Sequence, residues 1–392
     1  MKLLYIYTDY FQNYDILLTL KQMEIETDTI NESFFTYESD SRLIEMFSNK
    51  LSASHYDFVL SYGYVPYISD ICTKLHVPYA AWTYDSILHS LYNKTVENPY
   101  NILFVFDRAE YDYLRQHFSI PNLFHLPLAA NTERIRAIPV TPADSEYYGC
   151  DISFAGDLYQ QNTYVDLKPV LNPKEQDFFE QAFTYFEGKW NHEQIFQWFS
   201  REDADYLQNR LPDYLKNTES MPNTRCFGDI LLSKPIASRE RIHILNMLAG
   251  TFDMRLYTKK TADTSILNNV SCYPGVNYYD ALSKVYFYSR INLNITLHSI
   301  VSGIPLRCFD VLGAGGFLLT NYQEELYDCF KPDQELVIYH DYDELFDKAG
   351  YYLEHEDERQ RIACAGLAAI ENNHTYRHRL QCILDTVSRI IR

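Results

Sequence analysis

The sequence is short of positive charge. Its 392 residues contain 34 Lys and Arg against 53 Asp and Glu, which gives a formal net charge of −19. A surface of this charge repels phosphate backbones and anionic lipid, and no strong basic cluster offsets it. The charge balance therefore argues against a nucleic-acid or membrane-surface role.

Long apolar runs are missing as well. The opening MKLLYIYTDY has only about six apolar residues before Asp9, fewer than a signal-peptide core needs and far fewer than the ~20 residues that span a bilayer. We therefore expect a cytoplasmic protein.

Several common chemical motifs are absent. The eight cysteines form no C-x-x-C pair, which favours reduced, mostly buried thiols over zinc ligands or disulfides. Neither a G-x-G-x-x-G fingerprint nor a P-loop lysine motif occurs, which argues against dinucleotide-dependent oxidoreductases and NTPases. Two D-x-D pairs are present, Asp203 with Asp205 and Asp341 with Asp343. The first lies in a helical stretch and the second starts a helix, so we interpret both as solvated or capping carboxylates and expect no metal site.

What the sequence does contain is two blocks of alternating strands and helices, and at this length two domains are the default expectation. The predicted strands of the first block are LLYIYT (3–8), DFVLSY (57–62), YAAWTY (79–84), ILFVFD (102–107) and LFHLPL (123–128). Nearly continuous apolar runs indicate strands buried on both faces, hence a parallel sheet covered by helices. We predict a doubly wound, Rossmann-like α/β domain over residues 1–135.

The second block follows a polar, Pro-containing segment, 136–150, which we interpret as a linker. Its predicted strands are DISFAG (151–156), MRLYT (254–258), INLNIT (291–296), FLLT (317–320) and VIYH (337–340). Residues 160–238 carry apolar residues at helical spacing without a clear strand, which indicates a helical insertion. We predict a second Rossmann-like domain over 151–375 and a closing helix over 376–392.

The segment from Ile291 to Thr320 is the strongest binding-site candidate. Parallel sheets bind ligands outside the carboxyl ends of their strands, and two such domains place a cleft there. Ser302 or Gly303 can cap a helix whose first turn holds Pro305. The N-terminus of that helix has free N–H groups and a partial positive charge, which suit a diphosphate.

Arg307 and Asp310 lie on one face of this helix because they are three residues apart. Either Arg307 binds phosphate and Asp310 the ribose hydroxyls, or the two form a local ion pair on a solvated face. The spacing alone does not choose between these interpretations.

A family resemblance adds to this interpretation. The region from Pro274 to Tyr376 resembles the CgeB-type family of group 1 glycosyltransferases, which act in bacterial glycosylation. The motifs that carry this resemblance are PGVNYYDALSKVYFYSRINLNIT, GIPLRCFDVLGAGGFLLTNYQEELYDCF, YHDYDELFDKAGYYL and HTYRHR. HVPYAAWTYDS and NLFHLPLAAN resemble the domain of unknown function that often precedes that family.

The resemblance implies a GT-B fold, a nucleotide-diphosphate sugar bound mainly by the second domain, and a hydroxyl acceptor (a glycan, a surface protein or a small molecule) bound mainly by the first. A metal-independent reaction without a cofactor fits, because positive charge and the helix dipole replace a metal at the leaving diphosphate.

The donor residues are predicted at strand ends. In DISFAGDLY, Gly156 followed by Asp157 resembles the glycine turn that opens a donor domain, where backbone can approach a diphosphate closely. Tyr257, which ends a strand, is a candidate for the nucleobase, and a core tyrosine is the alternative.

Three further donor candidates lie within the 291–320 segment. Asn294 ends a strand, and Gly315 belongs to the GAGG turn. His298 is a candidate for the donor phosphates, although a structural histidine is the more common state of such a residue.

Candidate bases for an acceptor hydroxyl lie in the first domain. Asp85 directly follows the YAAWTY strand, and Asp9 follows the first strand. His89 is a weaker partner of Asp85, and Asp107 has a similar position with less support. The alternative for each carboxylate is a helix cap.

Two features keep other functions open. Many retaining GT-B enzymes carry two Glu eight positions apart here; Asp310 matches the second position, but Ser302 occupies the first. This departure, with the helical insertion, leaves a catalytically inactive partner-binding scaffold as an alternative, and a nucleotide-sugar epimerase is another.

Overall fold

The computed structural model describes residues 1–8, 10–30, 40–190, 192–217 and 219–391. The chain divides into two compact units. Unit 1 comprises Met1–Leu128, Asn217–Pro222 and Thr375–Arg392, and unit 2 comprises Ala129–Lys216 and Asn223–His374. Each unit contains a six-stranded sheet with only parallel pairs between its named strands, which confirms the prediction of two doubly wound α/β domains.

The unit 1 sheet has the strand order β2-β1-β3-β4-β5-β6. Its strands are β1 (Lys2–Ile6), β2 (Glu26–Ile30), β3 (Phe58–Tyr62), β4 (Tyr79–Trp82), β5 (Asn101–Val105) and β6 (Leu123–His125). The inner strands β3, β4 and β5 are buried along their whole length, as the continuous apolar runs predict. Strand β2 was missed because its sequence, ETDTI, lacks an apolar run, and its place at the sheet edge explains that composition.

Unit 1 helices cover this sheet, and the last of them comes from the far end of the chain. The helices are α1 (Asn13–Gln22), α2 (Ser41–Ala53), α3 (Pro66–Leu75), α4 (Arg108–His117) and, from the C-terminal segment, α17 (Tyr376–Ile390). Helix α17 packs against α1, and Tyr376 contacts Trp82 edge-on at 5.8 Å between ring centroids. The predicted closing helix is thus part of unit 1.

The unit 2 sheet has the order β12-β11-β10-β7-β8-β9. Its strands are β7 (Cys150–Ala155), β8 (Met254–Thr258), β9 (Ser271–Pro274), β10 (Ser289–Asn294), β11 (Leu318–Asn321) and β12 (Val337–Tyr339). Strand β9 was also missed; it is a mostly exposed edge strand of four residues. Because β7, β8 and β10 are neighbours, the residues that follow them meet at one edge of the sheet.

Unit 2 contains most of the helices. They are α5 (Thr132–Arg136), α6 (Pro142–Tyr148), α7 (Thr163–Leu167), α8 (Pro173–Phe186), α9 (Arg201–Arg210), α10 (Asn223–Phe227), α11 (Lys234–Ala249), α12 (Ala281–Tyr288), α13 (Leu306–Gly313), α14 (Leu326–Cys329), α15 (Tyr342–Glu354) and α16 (Glu356–Asn373). Between β7 and β8 the described residues form helices and no strand, in agreement with the predicted insertion. A π-helical turn, Gly228–Ser233, leads directly into α11.

The predicted linker differs from the structure. Residues 136–150 belong to unit 2 and contain α6, whose N-terminus has a capping box between Thr141 and Asp144. Lys284 of α12 pairs with Asp144 at 3.0 Å, so this segment is packed against the unit rather than extended. Proline at the first turn of α6 starts a helix here, whereas the sequence interpretation took it as a sign of an extended linker.

No helix within the described part of the chain combines the length and the apolar character that a membrane crossing requires.

Candidate functional site

Helix α13 presents its N-terminus near the carboxyl end of β10. It begins at Leu306, and Pro305 is the N-cap residue, with φ −65° and ψ 150°. The cap predicted at Ser302 or Gly303 therefore lies two or three residues too early. The fixed φ of proline already suits the residue before the helix.

Arg307, in the first turn of α13, ties two strand ends together. Its Nε donates to the carbonyl of Ala155 at 3.0 Å and its Nη1 to Oδ1 of Asn294 at 2.8 Å. Its guanidinium also lies 4.9 Å from the centroid of the Phe154 ring. Arg307 is thus held at the carboxyl ends of β7 and β10, as expected of a group that faces a ligand of this sheet.

Gly156 lies beside the Arg307 guanidinium. A Cβ at this position would lie 2.8 Å from Arg307 Nη2 and 3.1 Å from the Phe154 ring. A larger residue here would therefore displace the Arg307 guanidinium or the Phe154 ring from its present position, a constraint that no local sequence pattern indicates. Its N–H donates to the carbonyl of Tyr257 at 2.9 Å, which fixes the turn on β8.

Asn294 holds Arg307 in this orientation. It is fully buried, and its Nδ2 donates to the hydroxyls of Thr296 at 2.8 Å and Thr320 at 3.0 Å. These bonds fix which amide atom faces Arg307. Asn294 therefore acts as a support for the arginine.

Arg241, on α11, is a second guanidinium at the same place, and sequence inspection missed it. It is 2% exposed and donates to the carbonyls of Asp157 and Ile295, the latter at 2.8 Å. Its guanidinium lies 5.1 Å from the Phe154 ring and 4.5 Å from that of Tyr159. The two arginines thus share the Phe154 ring.

A sequence signal for Arg241 did exist. Ala237, Ile244 and Leu245 lie one turn away on either side of it and form the buried face of α11. A charged residue at such a position is rarely buried without a purpose.

The electrostatics favour an anion. The contacts of both guanidiniums described above are to carbonyl and amide oxygens and to aromatic rings, none of which carries a negative charge. Burial lowers the pKa of Arg241, and the positive charge of Arg307 acts in the same direction. A bound anion relieves both effects, since an opposite charge favours the charged form.

Asp157 is already paired. Its carboxylate accepts from Lys259 at 2.8 Å and from the N–H of Tyr159 at 2.9 Å. It thus shapes the turn after β7, while its carbonyl receives Arg241.

Asp310 lies apart from Arg307. It is 6% exposed, and the Tyr278 hydroxyl donates to its Oδ1 at 3.2 Å. The Tyr278 ring lies under the Arg134 guanidinium at 4.7 Å. The local ion pair between Arg307 and Asp310 does not form, and neither residue is on a solvated face.

Position 302 has a buried carboxylate beside it. The Ser302 hydroxyl donates to Oε1 of Glu325 at 2.9 Å, and Glu325 is 1% exposed. The sequence does not indicate this contact because the two residues are 23 positions apart.

The other donor candidates lie outside this group. His298 is fully buried and bonds through Nε2 to Glu240 at 2.9 Å, and the N–H of Gly188 donates to the same oxygen at 3.0 Å, which is the arrangement of a structural histidine. Tyr257 is buried against the Tyr273 ring at 5.3 Å, and burial raises its pKa to about 12. Gly315, with φ +76°, ends α13 at the opposite end from Arg307.

One carboxylate of each D-x-D pair caps a helix. Asp203 forms a capping box with Ser200 at the start of α9, and Asp341 is the N-cap of α15, where it accepts from the N–H of Glu344 at 2.8 Å.

In unit 1, Asp85 is exposed just beyond the end of β4, and its Oδ2 accepts from the Tyr10 hydroxyl at 2.5 Å. His89 begins a short 3₁₀ helix, His89–Tyr92. Asp107 is buried as the N-cap of α4 and also accepts from Ser86 at 2.8 Å. Asp9 lies outside the described residues.

Part of the chain is similar to a known protein family. Residues 241–385 match the family model described as "Glycosyl transferase-like". The matched range includes Arg241, Arg307 and Asp310. No curated protein sequence matches the chain.

Solved structures resemble the whole chain. Sucrose-phosphate synthase from Thermosynechococcus elongatus is 8% identical, with 100% of this chain and 99% of that chain covered and a TM-score of 0.59. The Anabaena protein HepE in complex with UDP and glucose is 9% identical, with coverages of 99% and 100% and a TM-score of 0.55. Trehalose-6-phosphate synthase OtsA is 11% identical, with 99% of both chains covered and a TM-score of 0.53.

At such identities the structural similarity concerns the fold, whereas the family match concerns the sequence. The chain therefore has the GT-B fold, and its residues 241–385 are similar in sequence to the glycosyl transferase-like family.

Proposed function

We propose that the protein transfers a hexose from a nucleotide-diphosphate sugar to a hydroxyl of an acceptor. The observation that carries the proposal is the pair of guanidiniums, Arg241 and Arg307, which share the Phe154 ring beside the N-terminus of α13. Two positive charges at the same edge of the sheet suit the two phosphates of such a donor.

These groups also favour the reaction step. When the glycosidic bond to the diphosphate breaks, negative charge grows on the leaving oxygen, and preoriented cations and N–H groups stabilise it. In other glycosyltransferases a divalent metal supplies that charge. Because Arg241, Arg307 and the helix N-terminus supply it here, we propose a metal-independent reaction without a cofactor.

The remaining roles follow from position. Asp310, one turn further along α13 than Arg307, is assigned to the ribose hydroxyls. Asp85, exposed beyond the end of β4, is assigned to removing the proton of the acceptor hydroxyl. The Tyr10 hydroxyl that donates to its Oδ2 holds the carboxylate in one orientation.

The sequence motifs and the neighbours guide the choice of donor. We place the chain in the CgeB-type group because of the motifs between Pro274 and Tyr376, and we take the first domain as the one that often precedes it. Since HepE was solved with UDP and glucose, UDP and UDP-glucose are the first donor probes.

Calorimetric titration with UDP, GDP, CDP and TDP tests the proposal. The wild-type protein is expected to bind at least one of them. Arg307→Ala should weaken that binding and lower transfer by about 10²-fold or more, since a lost charged donor at a developing oxyanion costs about 3 kcal/mol. Arg201→Ala, at an exposed arginine of α9 in the helical insertion, is the matched control.

Absence of binding to every nucleotide, with the fold intact by circular dichroism, would favour the partner-binding scaffold. Full activity of Arg307→Ala would show that Arg307 does not bind the donor phosphates. Formation of a new nucleotide sugar without any acceptor would favour the epimerase.

A further inference from the structure

We propose that the acceptor is a saccharide and that it binds on an aromatic surface of unit 1. This surface, called here the tyrosine surface, consists of Tyr10, Phe11, Tyr62 and Tyr84 around the carboxylate of Asp85. The proposal rests on the proposed function and specifies the acceptor that the glycosyltransferase uses.

The sheet topology brings these residues together. Strands β1, β3 and β4 are neighbours in the sheet. Tyr10 and Phe11 come shortly after β1, Tyr62 ends β3, and Tyr84 with Asp85 follows β4. Carboxyl ends of adjacent parallel strands are the usual place of ligand binding in such sheets.

The rings form one connected group. Tyr10 packs edge-on against Tyr62 at 5.7 Å and against Tyr84 at 5.3 Å between ring centroids. Phe11 packs edge-on against Tyr84 at 6.3 Å. These distances lie within the range of favourable aromatic pairs, so the rings fix one another before a ligand arrives.

Gly63 fixes the Tyr10 ring from below. It has φ +91°, and a Cβ there would lie 2.6 Å from Tyr10 Cε2. A glycine therefore allows the ring to rest directly on the backbone of the turn after β3. A ring held in this way keeps its hydroxyl on Asp85.

The exposure of its side chains distinguishes the tyrosine surface from an aromatic cluster in the core. Tyr62 is buried, Tyr10 and Tyr84 are half-buried, and Phe11 is 44% exposed. Asp85 is exposed beside them. The exposed part of the Phe11 ring lies at the strand ends, where an apolar face of a ligand can pack against it.

A sugar ring has the matching chemistry. Its C–H face is apolar and stacks on aromatic rings, while its hydroxyls donate to a carboxylate, which has about four lone-pair sites and gives charge-assisted bonds. The Tyr10 hydroxyl uses one of these sites on Oδ2. The negative charge of Asp85 disfavours phosphorylated or carboxylated acceptors.

The test is saturation-transfer NMR with cellobiose, maltose, glucose 6-phosphate and choline as probes, each added to the full-length protein. At least one neutral disaccharide should bind, and the phosphorylated sugar should bind more weakly. Phe11→Ala and Tyr84→Ala should each lower the saccharide affinity by about 3- to 10-fold, the contribution of one aromatic contact.

Tyr214→Ala is the matched control, because Tyr214 is a 73% exposed tyrosine of unit 2, and it should leave saccharide binding unchanged. Binding of choline without any saccharide would overturn the proposal, as would unchanged saccharide affinity in correctly folded Phe11→Ala and Tyr84→Ala. Nucleotide titration of the same variants separates the two claims. If the protein bound saccharides but no nucleotide, the proposed transferase function would be wrong. The tyrosine surface would then bind a saccharide that is not an acceptor.

Discussion

The two sheets of this protein place opposite chemistry at the same structural position. The carboxyl edge in unit 1 carries a carboxylate, Asp85, that accepts from the Tyr10 hydroxyl, and the Tyr10 ring packs against that of Tyr84. The carboxyl edge in unit 2 carries two guanidiniums and a glycine turn. Both sheets have six parallel strands, so the topology determines where ligands bind and the residues after the strands determine which ligands bind there.

The contrast also explains how an acidic protein could bind the acidic donor that we propose. The chain has a formal net charge of −19, which repels a nucleotide sugar at long range, but salt screens exposed charges beyond about 8–10 Å. Arg241 is buried and Arg307 is half-buried, and both lie at the unit 2 edge. For the proposed donor we expect their local attraction to outweigh the distant negative charges.

The largest expected effect comes from removing the carboxylate of unit 1. Asp85→Asn keeps an oxygen for the Tyr10 hydroxyl but cannot take a proton, so turnover should fall by about 10²- to 10⁴-fold. The dissociation constant of the nucleotide should not change, because the donor residues belong to unit 2. Transfer assays and calorimetry on the same preparation measure both.

Asp70→Asn is the control, since Asp70 is an exposed carboxylate on α3 that accepts from Asn98 at 3.0 Å. A weaker nucleotide affinity in Asp85→Asn would contradict the division of roles between the two edges. Normal turnover in Asp85→Asn would remove Asp85 as the base.

The second-largest effect is expected from substitution of Arg241 in unit 2. Its bonds to the carbonyls of Asp157 and Ile295 join the turn after β7 to the loop after β10, so we expect it to position the donor loops. Arg241→Met should raise the KM for the donor by about 10- to 100-fold, the loss of one or two hydrogen bonds to a charged group. Arg241→Lys should recover part of the loss because a lysine keeps the charge but not the fork.

The control for Arg241 is Arg239→Met on the same helix. Arg239 pairs with Glu180 and lies 4.9 Å from the Phe183 ring, away from the donor loops. The proposed role of Arg241 in positioning the donor loops is wrong if Arg241→Met and Arg239→Met raise the KM for the donor equally. It is also wrong if Arg241→Met changes only the melting temperature.

Local patterns in the sequence predict the fold and bring together part of the candidate site. Gly156 follows a strand, Asn294 ends a strand and Arg307 lies in the first turn of a helix, and the structure brings the three residues into contact. Parallel pairing makes this possible, since ends of adjacent strands meet at one edge without further information.

What sequence inspection missed depends on contacts between distant segments. Arg241 reaches Asp157 across 84 positions and Tyr10 reaches Asp85 across 75, and no local pattern specifies such pairs. Strands β2 and β9 were missed because edge strands need no apolar run. For His298 the sequence leaves a donor role and a structural role open, and its buried contact with Glu240 fits the structural alternative.

The smallest expected effect concerns acid stability, and it tests whether unit 2 depends on carboxylates outside its site. Glu344, on α15, accepts from Lys348 at 2.7 Å and from both the N–H and the ring of His340. Burial alone raises the pKa of Glu344, but these hydrogen bonds outweigh it and lower the pKa from 4.5 to about 2. Because the folded value is the lower one, the stabilisation is complete above about pH 4.5 and is lost as the pH falls towards 2. Glu344→Gln should therefore lower the free energy of unfolding by about 1 kcal/mol at neutral pH, a value reduced by solvent screening, and by less in acid.

Urea unfolding across this pH range measures the difference, and Glu354→Gln, at the exposed end of the same helix, should leave the pH dependence unchanged. An equal loss for Glu344→Gln at all pH values would show that packing of the side chain, rather than its charge, stabilises α15.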